Sequence, residues 1–203
     1  GGGPRGMSTR IEVVAAGAAH AEGLRRLLTA ESRGCHCGWW HFEGDDYAWQ
    51  ARCNLEPEQN AAGFAGWLVA DDARAAGVVA LLEGEGVGWL KLAPSPVMGK
   101  LFGRRVYRTL GCFDGERDDV LVIGCLVVRS DQRRNGVARA LVVGALEVAA
   151  ARGARAVEAM PRRSSSPLRD EEHWMGPPEI FEAAGFEQVD GPTPYPVLRR
   201  TLR

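Results

Sequence analysis

Residues 120–139 read VLVIGCLVVRSDQRRNGVAR and contain the clearest structural signal in the chain. It begins with a continuous apolar run, Val120 to Val128, which predicts a central strand buried on both faces. A short arginine-rich loop follows, and a helix is predicted from Gly136 to Arg152, ended by Gly153. The first turn of a helix has unpaired N–H groups and a partial positive charge, so an anion binds there favourably. The stretch therefore predicts an anion site between a buried strand and a helix.

The loop carries the groups that a phosphate ligand requires. Gly136 lets a ligand approach the backbone closely, and Ala138 is small for the same reason. Arg133, Arg134 and Arg139 add mobile positive charge suited to phosphate oxygens. The dinucleotide fingerprint G-x-G-x-x-G and the P-loop ending G-K-[ST] are both missing from this loop. The pattern that remains is [QR]-x-x-G-x-[GA], from Arg133 to Ala138.

Secondary structure on either side of this loop follows from the periodicity of apolar residues and the positions of glycine and proline. Upstream, the pattern predicts a strand at 11–14, helices at 20–30 and 56–72, and a hairpin of strands 77–82 and 87–92. A long connection at 94–119 follows the hairpin. Downstream, it predicts a strand at 156–160, parallel to 120–128, a loop at 162–172, a short helix at 178–184, and strands at 186–189 and 195–201.

Bulk properties limit the class of protein. The 203 residues carry a net charge of −1, so no nucleic-acid or membrane partner is expected. Residues 1–6, GGGPRG, resemble an artificial leader, which leaves 7–203 as a single domain. Five cysteines are an odd number, which argues against a secreted disulfide scaffold. No signal sequence or run of about eighteen apolar residues is found, so a cytoplasmic location is expected.

The spacing Arg133-x-x-Gly136-x-Ala138, after a strand and at the start of a long helix, resembles the pyrophosphate loop of the GNAT superfamily of N-acetyltransferases. The order of elements over residues 77–201 fits the same family. Cys35-x-Cys37-x-Trp39 and the segment 88–94 look like an uncharacterised bacterial subgroup. The resemblance implies an α/β GNAT fold: a mixed, mostly antiparallel sheet, splayed between two parallel central strands, with helices on both faces.

The resemblance also implies a cofactor site. Acetyl-CoA is the expected co-substrate, with no metal, and its pantetheine amides are expected to pair with the strand backbone at Leu126, Val127 and Val128. The pyrophosphate is expected at the loop and helix start. The residues transferred there are Arg133, Arg134, Asn135, Gly136, Val137, Ala138 and Arg139. Dimers are common in the family, so a homodimer is an expectation of the resemblance alone.

In the family mechanism an amine attacks the thioester directly, which calls for a base and an acid. Glu158, Glu172 and His173 are candidate bases by position. Many relatives carry a tyrosine as the acid four residues before a Gly-Phe pair, and Phe181 stands there in this chain. Tyr107 or Tyr195 is a candidate substitute; alternatively, water protonates the departing thiolate, which is the explanation we favour. The catalytic set carried forward is Glu158, His173 and Tyr195.

Two classes of function follow. The first is acetyl transfer to a primary amine, with a small molecule favoured over a protein lysine or N-terminus. The second, motivated by Phe181, is a non-catalytic acyl-CoA-binding sensor or interaction module. A zinc site at Cys35, His36, Cys37, His41 and Cys53 is disfavoured, because C-x-C without a second paired motif is poor ligand spacing. Cys125 is interpreted as a buried small side chain, since no His–Asp partners can be placed beside it.

Overall fold

The structure is a computed structural model that describes residues 10–169 and 172–203. The expected leader at residues 1–6 lies outside the described residues. One seven-stranded sheet takes its strands from Glu12 to Thr201, in the order β1-β2-β3-β4-β5-β7-β6. The strands are β1 (Glu12–Ala15), β2 (Gly77–Leu82), β3 (Glu85–Pro94), β4 (Val120–Val128), β5 (Ala156–Ala159), β6 (Glu187–Asp190) and β7 (Val197–Thr201).

Helices cover both faces of this sheet. They are α1 (Ala21–Glu31), α2 (Asp46–Leu55), α3 (Pro57–Val69), α4 (Gly99–Phe102), α5 (Val137–Ala151) and α6 (Pro178–Ala183). On one face, Leu141 and Val142 of α5 pack into a core cluster with Ile123 of β4. On the other, α1 and α3 pack around Trp89 of β3, which meets Phe64 edge to face. The predicted α/β fold is confirmed.

Strands β4 and β5 are parallel, and the other neighbouring pairs are antiparallel. The parallel pairing runs only from Val120 opposite Ala156 to Ile123 opposite Ala159. Beyond Ile123, β4 continues for five more residues beside β3 alone. Lys91 faces Cys125 while Leu92 faces Ile123, so Gly124 is the extra residue of a bulge in β4. The expected splay between two parallel strands is therefore present.

The structure differs from the sequence prediction mainly before β2. Residues 46–55 form α2, a helix that periodicity did not predict, and the predicted helix 56–72 ends at Val69. The Asp45 side chain caps α2 by accepting the Ala48 N–H over 2.8 Å. Because no residue of α2 is fully buried, its sequence lacks a clear apolar stripe. The predicted connection 94–119 also contains the short helix α4.

Candidate active site

A cleft of about 1350 Å³ lies where β4 leaves β5. Its walls are the second half of β4, the start of α5, the end of α1 with the chain that follows it, and the segments 162–168 and 173–180. Because β5 does not accompany β4 past Ile123, the backbone of β4 has no strand partner on that side. Such a gap in a sheet leaves polar backbone groups for a ligand or for another segment.

The arginine loop forms one end of the cleft. Gly136 precedes the first residue of α5 and has φ +83°, a left-handed conformation that favours glycine. A side chain built on Gly136 would meet nothing within 4 Å, so the backbone is open to a ligand there. Arg134 also has a positive φ, +65°, so the loop turns sharply before the helix. The unpaired N–H groups of the first turn of α5 are therefore exposed to the cleft.

The structure brings most of the predicted cofactor residues to one surface. Gln132, which was not predicted, joins them, whereas Asn135 is not among the described residues that line the cleft. Val137, the first residue of α5, also packs into the core between this helix and the sheet and is 2% exposed. The predicted residues that line the cleft are Leu126, Val127, Val128, Arg133, Arg134, Gly136, Val137, Ala138 and Arg139.

The cleft is strongly cationic. Six arginines line it against two glutamates, Glu31 and Glu179, among the described residues. Glu31 is engaged: it accepts the Ser130 N–H over 2.8 Å and pairs with Arg133 over 3.0 Å. This pairing ties the end of α1 to the arginine loop. An excess of positive charge in a concave surface concentrates anionic ligands there.

Backbone groups of β4 that face the cleft are partly engaged. The Leu126 N–H donates to the carbonyl oxygen of Trp174 over 2.8 Å, so the segment around Trp174 crosses the gap between the strands. The Val128 carbonyl accepts from Arg133 Nε over 3.3 Å. Alternate residues of a strand direct their backbone groups to opposite sides. The backbone N–H and C=O groups of Leu126 and Val128 therefore point toward the cleft. Those of Val127 point the other way, toward Trp89 of β3.

The three predicted catalytic residues are not brought together. His173 lines the cleft, and its Nδ1 is buried without a hydrogen-bond partner among the described residues. Glu158 and Tyr195 are not among the described residues that line it. Glu158 is fully buried between Arg117 and Arg199, and Tyr195 packs against the cluster that contains Tyr107. Of these three residues, only His173 is positioned to meet a ligand in the cleft.

Phe181 has no contact with the cleft. Its ring is fully buried, lies 5.4 Å from that of Phe186, and belongs to the core cluster under α5. Burial of this side chain is compatible with phenylalanine, because a hydroxyl would need a hydrogen-bond partner there. Position 181 therefore carries no proton donor, although the family resemblance led us to expect one there.

Besides Gln132, sequence reasoning did not place Trp174 or Cys37 in the cleft, or Lys91 beside it. Trp174 lines the cleft and stacks on Trp40, whose indole N–H donates to the Gly124 carbonyl over 2.7 Å. Cys37 reaches the cleft from the loop after α1, and Lys91 lies fully buried beside it. No spacing in the sequence connects these residues, because they come from distant segments. The available signal in the sequence was Lys91, a charged residue within the otherwise apolar strand β3.

No helix in residues 10–169 and 172–203 is long and apolar enough to cross a membrane. Within the same described ranges, no three His, Cys, Asp or Glu side chains are arranged to hold a metal ion.

Comparison with known proteins agrees with this geometry. The chain superimposes on an acetyltransferase of the GNAT family from Streptococcus pneumoniae with a TM-score of 0.55 and 14% identity, covering 96% of this chain and 100% of that one. PaiA N-acetyltransferase from Thermoplasma acidophilum, solved with coenzyme A, gives 0.54 and 8%, with coverage of 95% and 99%. Diaminobutyrate acetyltransferase EctA from Paenibacillus lautus, solved with L-2,4-diaminobutyric acid and coenzyme A, gives 0.50 and 14%, with coverage of 96% and 96%.

These structural likenesses show the fold. No curated protein matches the chain in sequence. A family model described as the acetyltransferase (GNAT) family matches residues 38–166, which is more than half of the chain. The chain therefore belongs to the GNAT family of acetyltransferases, whose co-substrate is acetyl-CoA.

Proposed function

We propose that this acetyltransferase transfers the acetyl group of acetyl-CoA to the primary amine of a small molecule. The observation that carries the proposal is the cationic cleft at the divergence of β4 and β5. It joins an anion site at one end to a group of small, partly apolar side chains at the other. A long, flexible co-substrate with phosphates at one end and a thioester at the other fits such a cleft.

The phosphate end is assigned to the arginine loop. The first-turn N–H groups of α5 and the side chains of Arg133, Arg134 and Arg139 would hold the pyrophosphate. Asn135 stays in the proposed set through the family motif alone. Cleft-facing backbone groups of Leu126 and Val128 would pair with the pantetheine amides. Pairing at Leu126 requires Trp174 to release the N–H that it now accepts.

The proposed base is His173. Its imidazole lines the cleft, unlike Glu158 and Tyr195, so of the predicted set it is the residue placed to take a proton from an incoming amine. Glu158 is dropped from this role because both of its oxygens accept hydrogen bonds from arginines. Tyr195 is dropped because it packs against a core cluster and does not line the cleft. Water remains the proposed proton source for the departing thiolate.

A small-molecule acceptor is supported by one comparison. The Paenibacillus lautus relative was solved with a small diamine, L-2,4-diaminobutyric acid, as its substrate. A homodimer and a cytoplasmic location stay predictions. The competing function, an acyl-CoA-binding sensor, is favoured by one observation, the buried phenyl ring of Phe181 where an acid is expected.

Release of CoA thiol from acetyl-CoA across a panel of small primary amines tests the proposal. Turnover with any amine supports the enzyme, and His173→Gln is expected to lower kcat while CoA affinity stays unchanged. Tight CoA binding with no thiol release for any amine would instead support the sensor.

A matched pair of variants tests the phosphate site. Gly136→Asn and Gly136→Asp introduce side chains of the same size, and asparagine and aspartate both tolerate a left-handed backbone. Only the aspartate places a negative charge where the pyrophosphate is expected. We expect CoA to bind the aspartate variant more weakly by about tenfold or more, measured by calorimetry. Equal affinity of the two variants would refute the phosphate assignment.

A further inference from the structure

A short segment of the chain lies in the gap that β5 leaves beside β4. The carbonyl oxygen of Trp174 accepts the Leu126 N–H over 2.8 Å. Residues 173–176 form one turn, in which the Gly176 N–H donates to the His173 carbonyl over 2.7 Å. We call residues 173–176 the strap. It contacts β4 at the position where the proposed function places the pantetheine arm.

Stacked indoles hold the strap against β4. The ring of Trp174 lies 5.4 Å from that of Trp40, with 29° between the two planes. Trp40 is 4% exposed, and its indole N–H donates to the Gly124 carbonyl over 2.7 Å. Gly124 is the extra residue of the bulge in β4, and a bulge leaves its extra residue unpaired in the sheet. The bulge therefore fixes Trp40, and Trp40 supports the strap.

The two halves of the strap differ in burial. Met175 is 7% exposed and belongs to the core cluster that contains Trp40. Gly176 packs closely on the core, because a side chain built there would lie 2.8 Å from Cζ of Phe181. Trp174, in contrast, is 38% exposed. Displacement of Trp174 therefore costs less buried apolar contact than displacement of Met175.

The Leu126 N–H is a single donor with two possible partners. Because β5 pairs with β4 only as far as Ile123, this N–H has no strand partner, and the Trp174 carbonyl takes that place. An extended ligand laid along β4 forms its hydrogen bonds with the same cleft-facing groups, as an added strand does. An unpaired backbone donor is costly, so one partner replaces the other. The strap and such a ligand therefore exclude each other at Leu126.

The arginine loop lies outside this competition. It follows Val128 in the chain, whereas the strap contacts β4 two residues earlier, at Leu126. The Val128 carbonyl accepts from Arg133 over 3.3 Å, a longer contact than the 2.8 Å bond at Leu126. A ligand that fills only the phosphate end of the cleft has no need to displace Trp174.

We propose that the strap is an autoinhibitory element, which closes the cleft at Leu126 until the pantetheine arm of the co-substrate displaces the Trp174 carbonyl. The inference rests on the proposed function, because pairing of pantetheine with β4 is the contact that the strap opposes. The closed arrangement lowers the observed affinity for CoA in proportion to the fraction of closed molecules. His173, the proposed base, belongs to the strap, so binding of the co-substrate also moves the base.

Trp174→Ala tests the strap by removing the ring that stacks on Trp40. We expect the variant to bind CoA about three- to tenfold more tightly than the wild-type protein in calorimetry, because the stack no longer favours the closed arrangement. Trp174→Phe keeps a ring for stacking, so its affinity should lie between the two. Trp49→Ala is the control: it removes an indole from a ring pair that is not among the described residues lining the cleft, and should leave the affinity unchanged.

The nucleotide half of CoA, 3′-phosphoadenosine 5′-diphosphate, provides a matched ligand. It carries phosphates for the arginine loop but has no pantetheine arm to compete with Trp174. We expect the wild-type protein and Trp174→Ala to bind this nucleotide with equal affinity. An equal gain for CoA and for the nucleotide would contradict competition at Leu126.

Hydrogen exchange measures the strap contact without any ligand. The amide of Leu126 is protected by its bond to Trp174, so we expect peptides that contain Leu126 to exchange faster in Trp174→Ala than in the wild-type protein. The control Trp49→Ala should exchange at the wild-type rate at this position. Mass spectrometry of digested protein gives both rates.

The results separate the strap from the co-substrate site. If CoA binds but Trp174→Ala does not bind it more tightly, or if exchange at Leu126 does not change, the autoinhibitory role is refuted and the proposed function stands. If none of the proteins binds CoA, the proposed function is refuted and the inference falls with it. Tighter CoA binding, unchanged nucleotide binding and faster exchange together support the strap.

Discussion

Glu158 is a fully buried carboxylate that joins two strands and a loop. Arg117 donates to its two oxygens over 3.2 and 2.6 Å, and Arg199 of β7 donates to Oε1 over 2.9 and 2.7 Å. Both guanidinium groups also reach the Cys112 carbonyl. Such a group holds the segment before β4 against β5 and β7. The position next to the central strand predicted a base, but the surroundings assign Glu158 to stability.

Glu158→Gln separates these two roles. Removal of the charge leaves two partly buried guanidinium groups without their fully buried counter-ion, and we expect a loss of about 3 kcal/mol in the free energy of unfolding. Affinity for CoA should not change, since Glu158 does not line the cleft. Urea unfolding and calorimetry measure the two quantities. Glu22→Gln, which breaks an exposed pair with Arg25, serves as the control and should leave the unfolding midpoint nearly unchanged. A stable Glu158→Gln protein would contradict the structural role.

His41 adds a pH dependence at the residue scale. Burial, then the charges of Lys91 and Arg74, lowers its pKa from 6.5 to about 4. Between these values the unfolded chain binds a proton that the folded chain does not, so stability falls as pH falls through this window. We expect His41→Gln to lose less stability than the wild-type protein between about pH 7 and about pH 5. Urea midpoints at the two pH values provide the test, and identical losses would exclude His41 as the cause.

At the scale of the element, α5 connects the cleft to the core. Its first residues line the cleft beside the arginine loop, and its middle packs on β1 at Gly144. A side chain at Gly144 would lie 2.4 Å from Cγ1 of Val13. Glycine in a helix interior normally reduces stability relative to alanine. Gly144 is therefore explained by the close approach of the helix to the sheet edge.

Alanine substitutions separate propensity from packing. We expect Gly144→Ala to lower the free energy of unfolding by roughly 1–3 kcal/mol, because the added methyl overpacks against Val13. Gly66→Ala in α3, where a side chain meets nothing within 4 Å, should instead stabilise by up to about 1 kcal/mol. Val13→Ala combined with Gly144→Ala should recover part of the loss. Equal effects of the two single substitutions in thermal unfolding would contradict the packing argument.

At the scale of the whole molecule, charge is distributed unevenly. The chain has a net charge of −1, yet six of the described side chains that line the cleft are arginines against two glutamates. Positive charge is therefore concentrated at one concave surface and balanced elsewhere. This arrangement attracts an anionic co-substrate without making the protein as a whole basic.

Salt should weaken the binding of CoA. Ionic screening reduces the attraction between the arginines and the phosphates, so we expect the Kd for CoA to rise several-fold between about 0.05 M and about 0.5 M salt. Binding of pantetheine, which lacks the phosphates, should change little over the same range. Calorimetric titrations at both salt concentrations compare the two ligands. Equal salt dependence for CoA and pantetheine would show that the arginines do not contact the phosphates.

Short-range patterns in the sequence were enough to predict β4, the loop and α5 with boundaries within a residue. Their signals, an apolar run, a glycine and a helical stripe, all lie within a few residues of one another. They also predicted the cationic loop, whereas the splay beside it was expected only from the family resemblance. The helix α2 escaped prediction because it contributes no fully buried residue and has no apolar stripe.

Sequence alone was enough to recognise the family and to place an arginine loop between a buried strand and a helix, because this strand, loop and helix are adjacent in the chain. The side chains that meet at the other end of the cleft could be identified only from the folded chain. Cys37 and Trp89 are 52 residues apart, and Cys125 comes from a third segment. The same applies to Glu158 and Tyr195, which the folded chain places outside the cleft. Contacts between distant segments are set by how the sheet and helices pack, which no local pattern encodes.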